Sequence, residues 1–483
     1  MIFSSATFLF IFLPFFLLLY FSLPWKNSIL LVASLFFYAW GEPFYIFLLL
    51  AVIGANYLFG LSLSKNAAPL RKKIFLFAAV AFNIAVLAYF KYSGFFLDNI
   101  NEYIVIPLLN REISFSPPAL PLGISFIVFQ AITYAVDIYR ERAPEEKNPL
   151  FVGLYISMFP KLVAGPIVRF EEIFRQMHSR SANFRNFTGG IERIIVGMGK
   201  KLLIADTLSV AVDSIFSLPP SQLPAATAWF GSVCYTLQIY YDFSGYSDMA
   251  IGMAKMMGFK FPENFNFPYQ ARTVQEFWRR WHMTLSFWFR DYLYIPLGGN
   301  RRGKARTYFN LLFVFTLVGF WHGANWTFLF WGFFHGSFLV AERMGLKNLL
   351  SKTYRPLQHL YLVFVVSTGW VFFRAPDLSA ALGYLKAMFG FNEAVPHLYS
   401  LFQFANPYTS FVMILAVLFS GTLIPSSIVK IYRRVLRRVL PSHRSWRVRS
   451  FDAARIMFLA FVLVLSLMTV ASQTHQAFIY FRF

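Results

Sequence analysis

Apolar stretches about 20 residues long recur along almost the whole chain, and they constrain its fold more than any other feature. A helix of that length spans the hydrocarbon core of a bilayer, and lipid tolerates no unpaired backbone. With 57% hydrophobic and 14% charged residues, the chain is predicted to be an all-α, polytopic membrane protein. Candidate spans are 5–23, 28–41, 43–63, 74–94, 119–139, 148–168, 189–214, 225–258, 307–322, 325–345, 357–374, 408–429 and 452–472.

Two of these segments are irregular. The segment 148–168 contains Pro160 and Gly165, which predicts a re-entrant element. The segment 225–258 is too long for one span, and we expect a break near Ser244. Irregular backbone at membrane depth is tolerated only where protein or a water-filled cavity covers it. The sequence therefore predicts about 11 true spans, together with re-entrant and interfacial helices, around a cavity.

Basic loops predict the orientation. Residues 64–73 and 430–449 are rich in Lys and Arg, so both are expected on the cytoplasmic side. Three spans precede the first loop, which places the N-terminus outside, and the loop at 95–118 follows on the outside. The last span leaves the tail 473–483 outside.

The first 23 residues lack a basic n-region, so they are interpreted as a retained helix. No internal repeat separates parts of the chain, which predicts a single membrane domain over 1–483.

Several function classes are disfavoured by the sequence. The net charge of +22 is explained by cytoplasmic loops rather than by nucleic-acid binding. Cys234 is the one cysteine, so neither a disulfide within the chain nor a cysteine-rich metal site is possible. The histidines are not spaced as zinc ligands, and neither a nucleophile elbow nor a phosphate-binding glycine loop is present. We expect no resident metal or permanently bound cofactor.

Residues 319–326 read Gly-Phe-Trp-His-Gly-Ala-Asn-Trp within an apolar segment, which places His322 at membrane depth. An ionisable side chain there is by default a candidate functional group, and imidazole exchanges protons near neutral pH. The alternative is a histidine hydrogen-bonded between packed helices. If the helix continues, Asn325 and Trp326 share the face of His322. His335, 13 residues on, then points elsewhere and is expected to pack or to lie at the interface.

The segment 273–300 has an aromatic stripe and a charged stripe at helical spacing. Trp278 and His282 belong to the aromatic stripe. The wider segment 261–304 is therefore predicted to be a cytoplasmic-side amphipathic or re-entrant element. One interpretation is a purely interfacial helix. The other is that Arg290 and Arg301 hold the phosphates of a cytoplasmic donor.

Residues 238–248 place two acids in an apolar neighbourhood. Unpaired, Asp242 or Asp248 would be costly there. They either pair with backbone or arginine beside a helix break, or line a polar cavity together with Ser244. Lys161 is a candidate counter-charge for one of them.

These segments together resemble the membrane-bound O-acyltransferase (MBOAT) family, and most of all its bacterial branch that modifies cell-envelope polymers. The resemblance covers nearly the whole chain. The residues that carry it are Phe3-Ser4-Ser5, 241–248 (Tyr-Asp-Phe-Ser-Gly-Tyr-Ser-Asp), 277–282 (Phe-Trp-Arg-Arg-Trp-His), 287–292 (Phe-Trp-Phe-Arg-Asp-Tyr), 296–299 (Pro-Leu-Gly-Gly) and 321–326 (Trp-His-Gly-Ala-Asn-Trp).

The resemblance implies a ring of helices around a thin central floor, with funnels from both faces meeting as a tunnel. It also implies that His322 is catalytic and that His282 is the second motif histidine. Within the branch, the subunits of alginate O-acetylation are most similar. Acetylation of peptidoglycan or cellulose and D-alanylation of teichoic acid are the sibling activities.

The function expected on this basis is transfer of an acetyl group from a cytoplasmic thioester, with acetyl-CoA as the donor, to the outside of a bacterial inner membrane. His322 acts as a general base or as a transient acyl carrier. Asn325 orients the ring or donates to the oxyanion, and aromatic residues such as Trp321 and Trp326 exclude water. An extracytoplasmic acetyltransferase is the implied partner. The rival functions are a transporter or flippase using the same cavity and a lysophospholipid acyltransferase.

Overall fold

A computed structural model describes residues 2–392, 399–422, 444–472 and 478–479, with only the backbone at 444–449. Every regular element in these residues is helical, which confirms the all-α prediction. The helices are α1 Leu13–Ser22, α2 Lys26–Gly41, α3 Ile46–Ser62, α4 Pro69–Leu87, α5 Ser93–Ile100, α6 Ile106–Leu109, α7 Ile124–Tyr139, α8 Pro149–Ser157, α9 Phe159–Leu162, α10 Phe170–His178, α11 Phe184–Met198, α12 Asp206–Phe216, α13 Ala225–Met256, α14 Val274–Trp278, α15 Met283–Phe289, α16 Lys304–His322, α17 Trp326–Ala341, α18 Lys347–Ser351, α19 Arg355–Arg374, α20 Leu378–Met388, α21 Leu401–Phe404, α22 Pro407–Phe419 and α23 Arg444–Ala471.

Short π-helical and 3₁₀ segments join or extend several of these helices. The π-helical segments are Thr7–Phe12, Ala88–Tyr92, Asn101–Val105, Gly199–Ala205, Arg290–Tyr294 and Glu342–Leu346. The 3₁₀ turns are Pro220–Gln222 and Pro268–Gln270. Because a π-helical turn inserts a residue without ending the helix, α4, α5 and α6 form one continuous helical rod.

Three helices of the described residues are long and apolar enough to cross a membrane, namely Pro69–Leu109, Arg355–Arg374 and Ser450–Ala471. Shorter apolar helices are Thr7–Ser22, Ile46–Ser62, Ile124–Tyr139 and Pro407–Phe419. The predicted loop at 95–118 is wrong in its first part, because the 41-residue helical rod Pro69–Leu109 continues through it to Leu109. At 1.5 Å per residue it is about 60 Å long, about twice the hydrocarbon thickness. The loop 430–449 and the tail 473–483 lie outside the described residues, except for the backbone of 444–449 and for 478–479.

The break predicted near Ser244 is wrong, because α13 is one 32-residue helix. Gly245 instead lets two helices touch. A Cβ at Gly245 would lie 2.7 Å from the carbonyl oxygen of Gly197 on α11. Small residues permit this close backbone approach between membrane helices. The glycine therefore marks a helix contact and leaves the helix intact.

The break predicted in 148–168 is present. Helix α8 ends at Ser157, and α9 begins at Phe159 with Pro160 in its first turn. Residues 152–168 are buried throughout. Lys161 does not counter an acid, because its ammonium donates to the Gln130 side chain and the Tyr155 carbonyl.

Two helix ends place the candidate histidines. The segment 273–292 is not one amphipathic helix, because α14 stops at Trp278 and His282 has φ 40° before α15 begins. The predicted continuation past His322 is also wrong. Helix α16 ends at His322, Gly323 is extended, and Asn325 caps the next helix. Both histidines therefore sit at chain turns inside the protein and not along helix faces.

Helices α16 and α17 form a tight hairpin that fixes the position of His322. A Cβ on Gly319, one turn before His322, would lie 2.9 Å from the amide nitrogen of Gly332 on α17. The two backbones are thus in contact, and little room exists for α16 to shift.

Candidate active site

A cavity of about 180 Å³ is lined by both motif histidines, His322 and His282. His322 is 2% exposed and His282 is 1% exposed. The same lining includes Gln275 and Arg279, and Arg279 is exposed to the surface. One cavity thus has both the buried histidine pair and an exposed arginine of the segment 261–304 in its lining.

The hydrogen bond of His322 fixes its tautomer. Nδ1 lies 2.7 Å from the carbonyl oxygen of Val318, one turn back on α16. A carbonyl can only accept, so Nδ1 carries the proton and Nε2 carries the lone pair of the neutral ring. In this form the imidazole is a base at Nε2.

His282 is held by contacts with rings. Its centroid is 4.6 Å from that of Phe243 and 6.5 Å from that of Trp321. Neither ring nitrogen has a hydrogen-bond partner among the described residues. Buried polar groups are normally paired, so these nitrogens are available to a molecule in the cavity.

Aromatic rings enclose the imidazole of His322. The centroids of Trp321, Trp331 and Phe373 lie 4.9, 5.0 and 5.5 Å from it. Trp278 lines the cavity and packs against Trp331. The expected aromatic wall is therefore formed in part by Trp321 and Trp278.

His335 belongs to this wall as a packing residue. It is fully buried, with its ring 5.3 Å from that of Trp331 and 5.1 Å from that of Trp278. It does not line the cavity. The structure therefore places His335 as a packing residue among these rings.

Asn325 and Trp326 face away from the imidazole. The Asn325 side chain accepts from the Thr327 amide at 3.0 Å and donates to the Pro376 carbonyl at 3.0 Å. Trp326 is half exposed, and its indole N–H donates to Asn99. Asn325 therefore caps α17 and does not contact the ring of His322, because the turn at Gly323 has rotated it away.

A second cavity of about 400 Å³ lies beyond the ring of Phe373. Its lining includes Asn325, Gln238 and Arg374, and Asp213 pairs with Arg374 at 2.8 Å. Of the two cavities, His322 lines only the first. The ring of Phe373 contacts that of His322 and also lines this second cavity.

The acids on α13 are paired. Asp242 forms a buried ion pair with Lys201 at 2.8 Å, and Lys201 also pairs with Asp206 at 2.7 Å. Asp248 pairs with Arg193 at 2.8 Å and Lys200 at 2.6 Å. Pairing with backbone or arginine was one of the two alternatives for these acids. Asp248 pairs with an arginine, and Asp242 accepts from the backbone amide of Ile479 at 2.8 Å besides its lysine, although no helix break accompanies either.

A third cavity of about 380 Å³ adjoins these ion pairs. Ser244 and Asp248 line it, together with Arg193, Lys200, Asn264 and Met283. Asp242 does not. Ser244 and Asp248 therefore line a polar cavity, as expected, but a different one from the cavity of the two histidines.

Arg290 and Arg301 are exposed and do not line the histidine cavity. Arg290 donates to Asp291 at 2.6 Å. Burial alone would raise the pKa of Asp291, but the hydrogen bonds from Arg290 and the charge of Arg169 hold that pKa below its ordinary value of 3.8. Arg290 is thus engaged in a local charge cluster.

Two residues near the site escaped the sequence analysis. Arg279 lines the cavity, and in the sequence it stands out only as part of the motif 277–282. Lys91 donates to the carbonyls of Trp321 and His322. The sequence does mark Lys91 as a candidate functional residue, because it is the single charged residue of the apolar segment 74–94.

Comparison with known proteins identifies the class of protein to which this chain belongs. Residues 34–378 match the model of MBOAT, the membrane-bound O-acyltransferase family, and the chain belongs to that family. It is 44% identical over 402 residues to a probable alginate O-acetylase of Azotobacter vinelandii, covering 81% of this chain and 79% of the relative. A probable alginate O-acetylase of Pseudomonas putida is 39% identical over 501 aligned positions, covering 100% of this chain and 100% of the relative. A peptidoglycan O-acetyltransferase of Helicobacter pylori is 38% identical over 429 residues, covering 81% of this chain and 80% of the relative.

Proposed function

We propose that the protein passes acetyl groups from cytoplasmic acetyl-CoA across the bacterial inner membrane for O-acetylation of an exported, alginate-like polysaccharide. The observation that carries the proposal is that His322, His282 and the exposed Arg279 line one cavity. The names of the relatives from A. vinelandii and P. putida support the acetyl group and the polymer.

His322 is proposed as the general base. The acceptor hydroxyl gives its proton to Nε2 while its oxygen attacks the thioester carbonyl. As the C–S bond breaks, the leaving thiolate takes the proton from the imidazolium, so His322 and the proton balance are restored. The hydrogen bond from Nδ1 to Val318 supports this role, because it leaves Nε2 as the basic nitrogen.

His282 is proposed to donate a hydrogen bond to the oxyanion of the tetrahedral intermediate. Its unpartnered ring nitrogens and its place in the same cavity support this role. A neutral imidazole has one N–H to give, and such a donor in a dry site stabilises developing charge strongly.

The donor is proposed to enter at Arg279. A guanidinium there suits the phosphates of coenzyme A, while the acetyl end reaches the histidines through the apolar cavity. Arg290 and Arg301 are exposed on the same segment, 261–304, and are proposed to add positive potential at the entrance. The rings of Trp278 and Trp321 keep water from the thioester.

The acceptor is proposed to come through the second cavity, past Phe373. Gln238 lines that cavity with its Oε1 unpartnered among the described residues, so it is suited to bind a hydroxyl donor. An extracytoplasmic acetyltransferase of the same pathway is the proposed partner, and its serine is the proposed acceptor before the sugar is modified.

The proposed topology has about 11 spans, both termini outside, and the segment 261–304 on the cytoplasmic side within one domain, 1–483. The basic residues of 64–73 support this orientation. A central tunnel is proposed to form when Phe373 moves and joins the two cavities.

The test uses inverted membrane vesicles from an alginate-producing bacterium that lacks its own membrane acetylase and expresses this chain. Radiolabelled acetyl-CoA is added outside, and ester label on alginate is measured. We expect His322→Gln to lose at least 100-fold in rate, in the range for removal of a general base. His335→Gln is the matched control, because it removes an equally buried histidine that does not line the cavity. Equal labelling in parent and His322→Gln would refute the proposal.

Peptidoglycan is the second candidate polymer, because the H. pylori relative is named for it. The same vesicles separate the two. Label released by a muramidase and not by an alginate lyase would replace alginate with peptidoglycan and leave the His322 chemistry in place.

A further inference from the structure

The C-terminal end of α16 is held by two side chains of another helix. The last four carbonyls of an α-helix have no partner within the helix. In α16 these belong to Gly319, Phe320, Trp321 and His322. The carbonyl of Gly319 accepts from the Gly323 amide at 3.4 Å, so three remain to be satisfied.

Lys91 and Tyr92 satisfy those three. The Tyr92 hydroxyl donates to the carbonyl of Phe320 at 3.1 Å. The Lys91 ammonium donates to the carbonyl of Trp321 and, at 3.4 Å, to that of His322. Two consecutive residues therefore complete the hydrogen bonding of the helix end that carries the proposed base.

Ring contacts also fix the C-terminal end of α16. The rings of Tyr92 and Phe320 stack at 4.3 Å, and Lys91 Nζ lies 5.6 Å from the ring centroid of Trp321. Lys91 also approaches the Ser125 hydroxyl at 3.4 Å, at the start of α7. Lys91 thus ties the end of α16 to two other helices.

Among the described residues, no acidic side chain pairs with the ammonium of Lys91. Within the part of the chain that the structure describes, no carboxylate lies within 4 Å of its ammonium. A cation in an apolar span is costly and needs a compensating partner. The negative end of the α16 dipole supplies that partner at Trp321 and His322.

The backbone around Lys91 is also unusual. Lys91 and Tyr92 lie in the π-helical segment Ala88–Tyr92, within the rod Pro69–Leu109. A π-helical turn rotates the following residues relative to an α-helix, and such turns are common at functional sites. Here the turn coincides with the two residues that face the end of α16.

We propose that Lys91 and Tyr92 are positioning residues that clamp the end of α16 and hold the imidazole of His322 in its reactive placement. This rests on the proposed function of His322. Neither residue touches the reacting atoms. Their loss lets the end of α16 move, and a displacement near 1 Å at a reacting group costs about 100-fold in rate.

The vesicle assay tests the clamp through the separate effects on kcat and KM for acetyl-CoA. Lys91→Met is expected to lower kcat 10- to 100-fold per folded molecule, with KM within about twofold of the parent, because donor binding at Arg279 is untouched. Lys91→Arg keeps donors for the carbonyls and is expected to recover most of kcat. Tyr92→Phe keeps the stacked ring and loses only the hydroxyl, with an expected 3- to 10-fold fall in kcat.

Matched controls lie on the same rod. Lys72→Met removes an ammonium paired with Glu141 at 3.2 Å, and Tyr89→Phe removes an exposed hydroxyl. Both are expected to keep parental kcat. Folded protein is counted by fluorescence-detected size exclusion, so poor folding of Lys91→Met does not count as lost kcat, and Tyr92→Phe provides an independent reading.

Two results separate this inference from the proposed function. If His322→Gln is inactive while Lys91→Met and Tyr92→Phe both keep the parental kcat, the clamp is overturned and His322 remains the base. An active His322→Gln overturns the proposed function itself. A fall in kcat that Lys91→Arg does not relieve also counts against the clamp, because arginine can make the same hydrogen bonds.

Discussion

The buried ion cluster around Lys201 gives a sharp prediction about the role of Asp242. Lys201 pairs with Asp242 and Asp206, and the three side chains are 4%, 1% and 6% exposed. Lys201→Met keeps the bulk of the side chain and leaves two buried carboxylates without their cation. Breaking a buried pair from one side costs about 3–5 kcal/mol.

The comparison is with Lys72→Met at the surface. Its partner Glu141 is 52% exposed, and an exposed pair contributes about 0–1 kcal/mol. The two substitutions are chemically identical, so the difference of about 2–5 kcal/mol reports the burial of the cluster together with its second carboxylate. Adding Asp242→Asn to Lys201→Met is expected to restore part of the loss, because one uncompensated charge is then removed.

The free energy of unfolding is measured by denaturant titration in mixed micelles, with helical circular dichroism as the signal. Acetyl transfer per folded molecule is measured in parallel and is expected to change less than threefold, because Asp242 does not line the histidine cavity. Equal free energies of unfolding for Lys201→Met and Lys72→Met would refute the reasoning. A 100-fold loss of transfer in a fully stable Lys201→Met protein would move Asp242 into the site.

Three further predictions follow from local geometry. Gly245→Ala should cost about 1–3 kcal/mol in the free energy of unfolding, because its Cβ would meet a backbone oxygen, whereas Gly54→Ala, with open space around it, should change it by less than about 1 kcal/mol; equal effects would contradict the proposed helix contact. Asn325→Ala should cost about 1 kcal/mol as a lost helix cap and lower transfer less than tenfold, and a 100-fold loss at constant stability would return Asn325 to the oxyanion. Because its pKa is held below 3.8, Asp291 stabilises the fold above about pH 5, and this contribution is lost as the pH falls below about 4. Melting curves should therefore separate the parent from Asp291→Asn at pH 6, and the gap should shrink progressively as the pH falls below about 4; a constant gap would show that Asp291 does not titrate as stated.

Element types were predictable from hydropathy, but helix ends were not. The apolar pattern identified the segments that hold α1, α7 and α19, because burial in lipid and helix length leave few choices. The pattern missed the end of α16 at His322, although Asn325 is a strong N-cap residue and Gly323 precedes it. Gly245 was interpreted as a break because sequence alone does not reveal the backbone of α11 that it contacts.

The candidate site was predictable in its chemistry and not in its geometry. His322 and His282 were chosen as costly polar groups in apolar surroundings, and both are buried on one cavity. Asn325 was assigned to the site on helical spacing, and the turn after His322 invalidates that spacing. Lys91 lies 231 positions from His322, and no local pattern relates residues so distant in sequence.

The ring of Phe373 has a consequence for the energetics of the cell. In the proposed reaction the acceptor hydroxyl reaches in past this ring and leaves with a two-carbon group, while the charged carrier stays on the donor side. The two cavities are separate in the described part of the structure, so while Phe373 stays in place protons have no water-filled path from one to the other. Covalent building blocks can then be exported without discharging the gradient that the same bilayer stores.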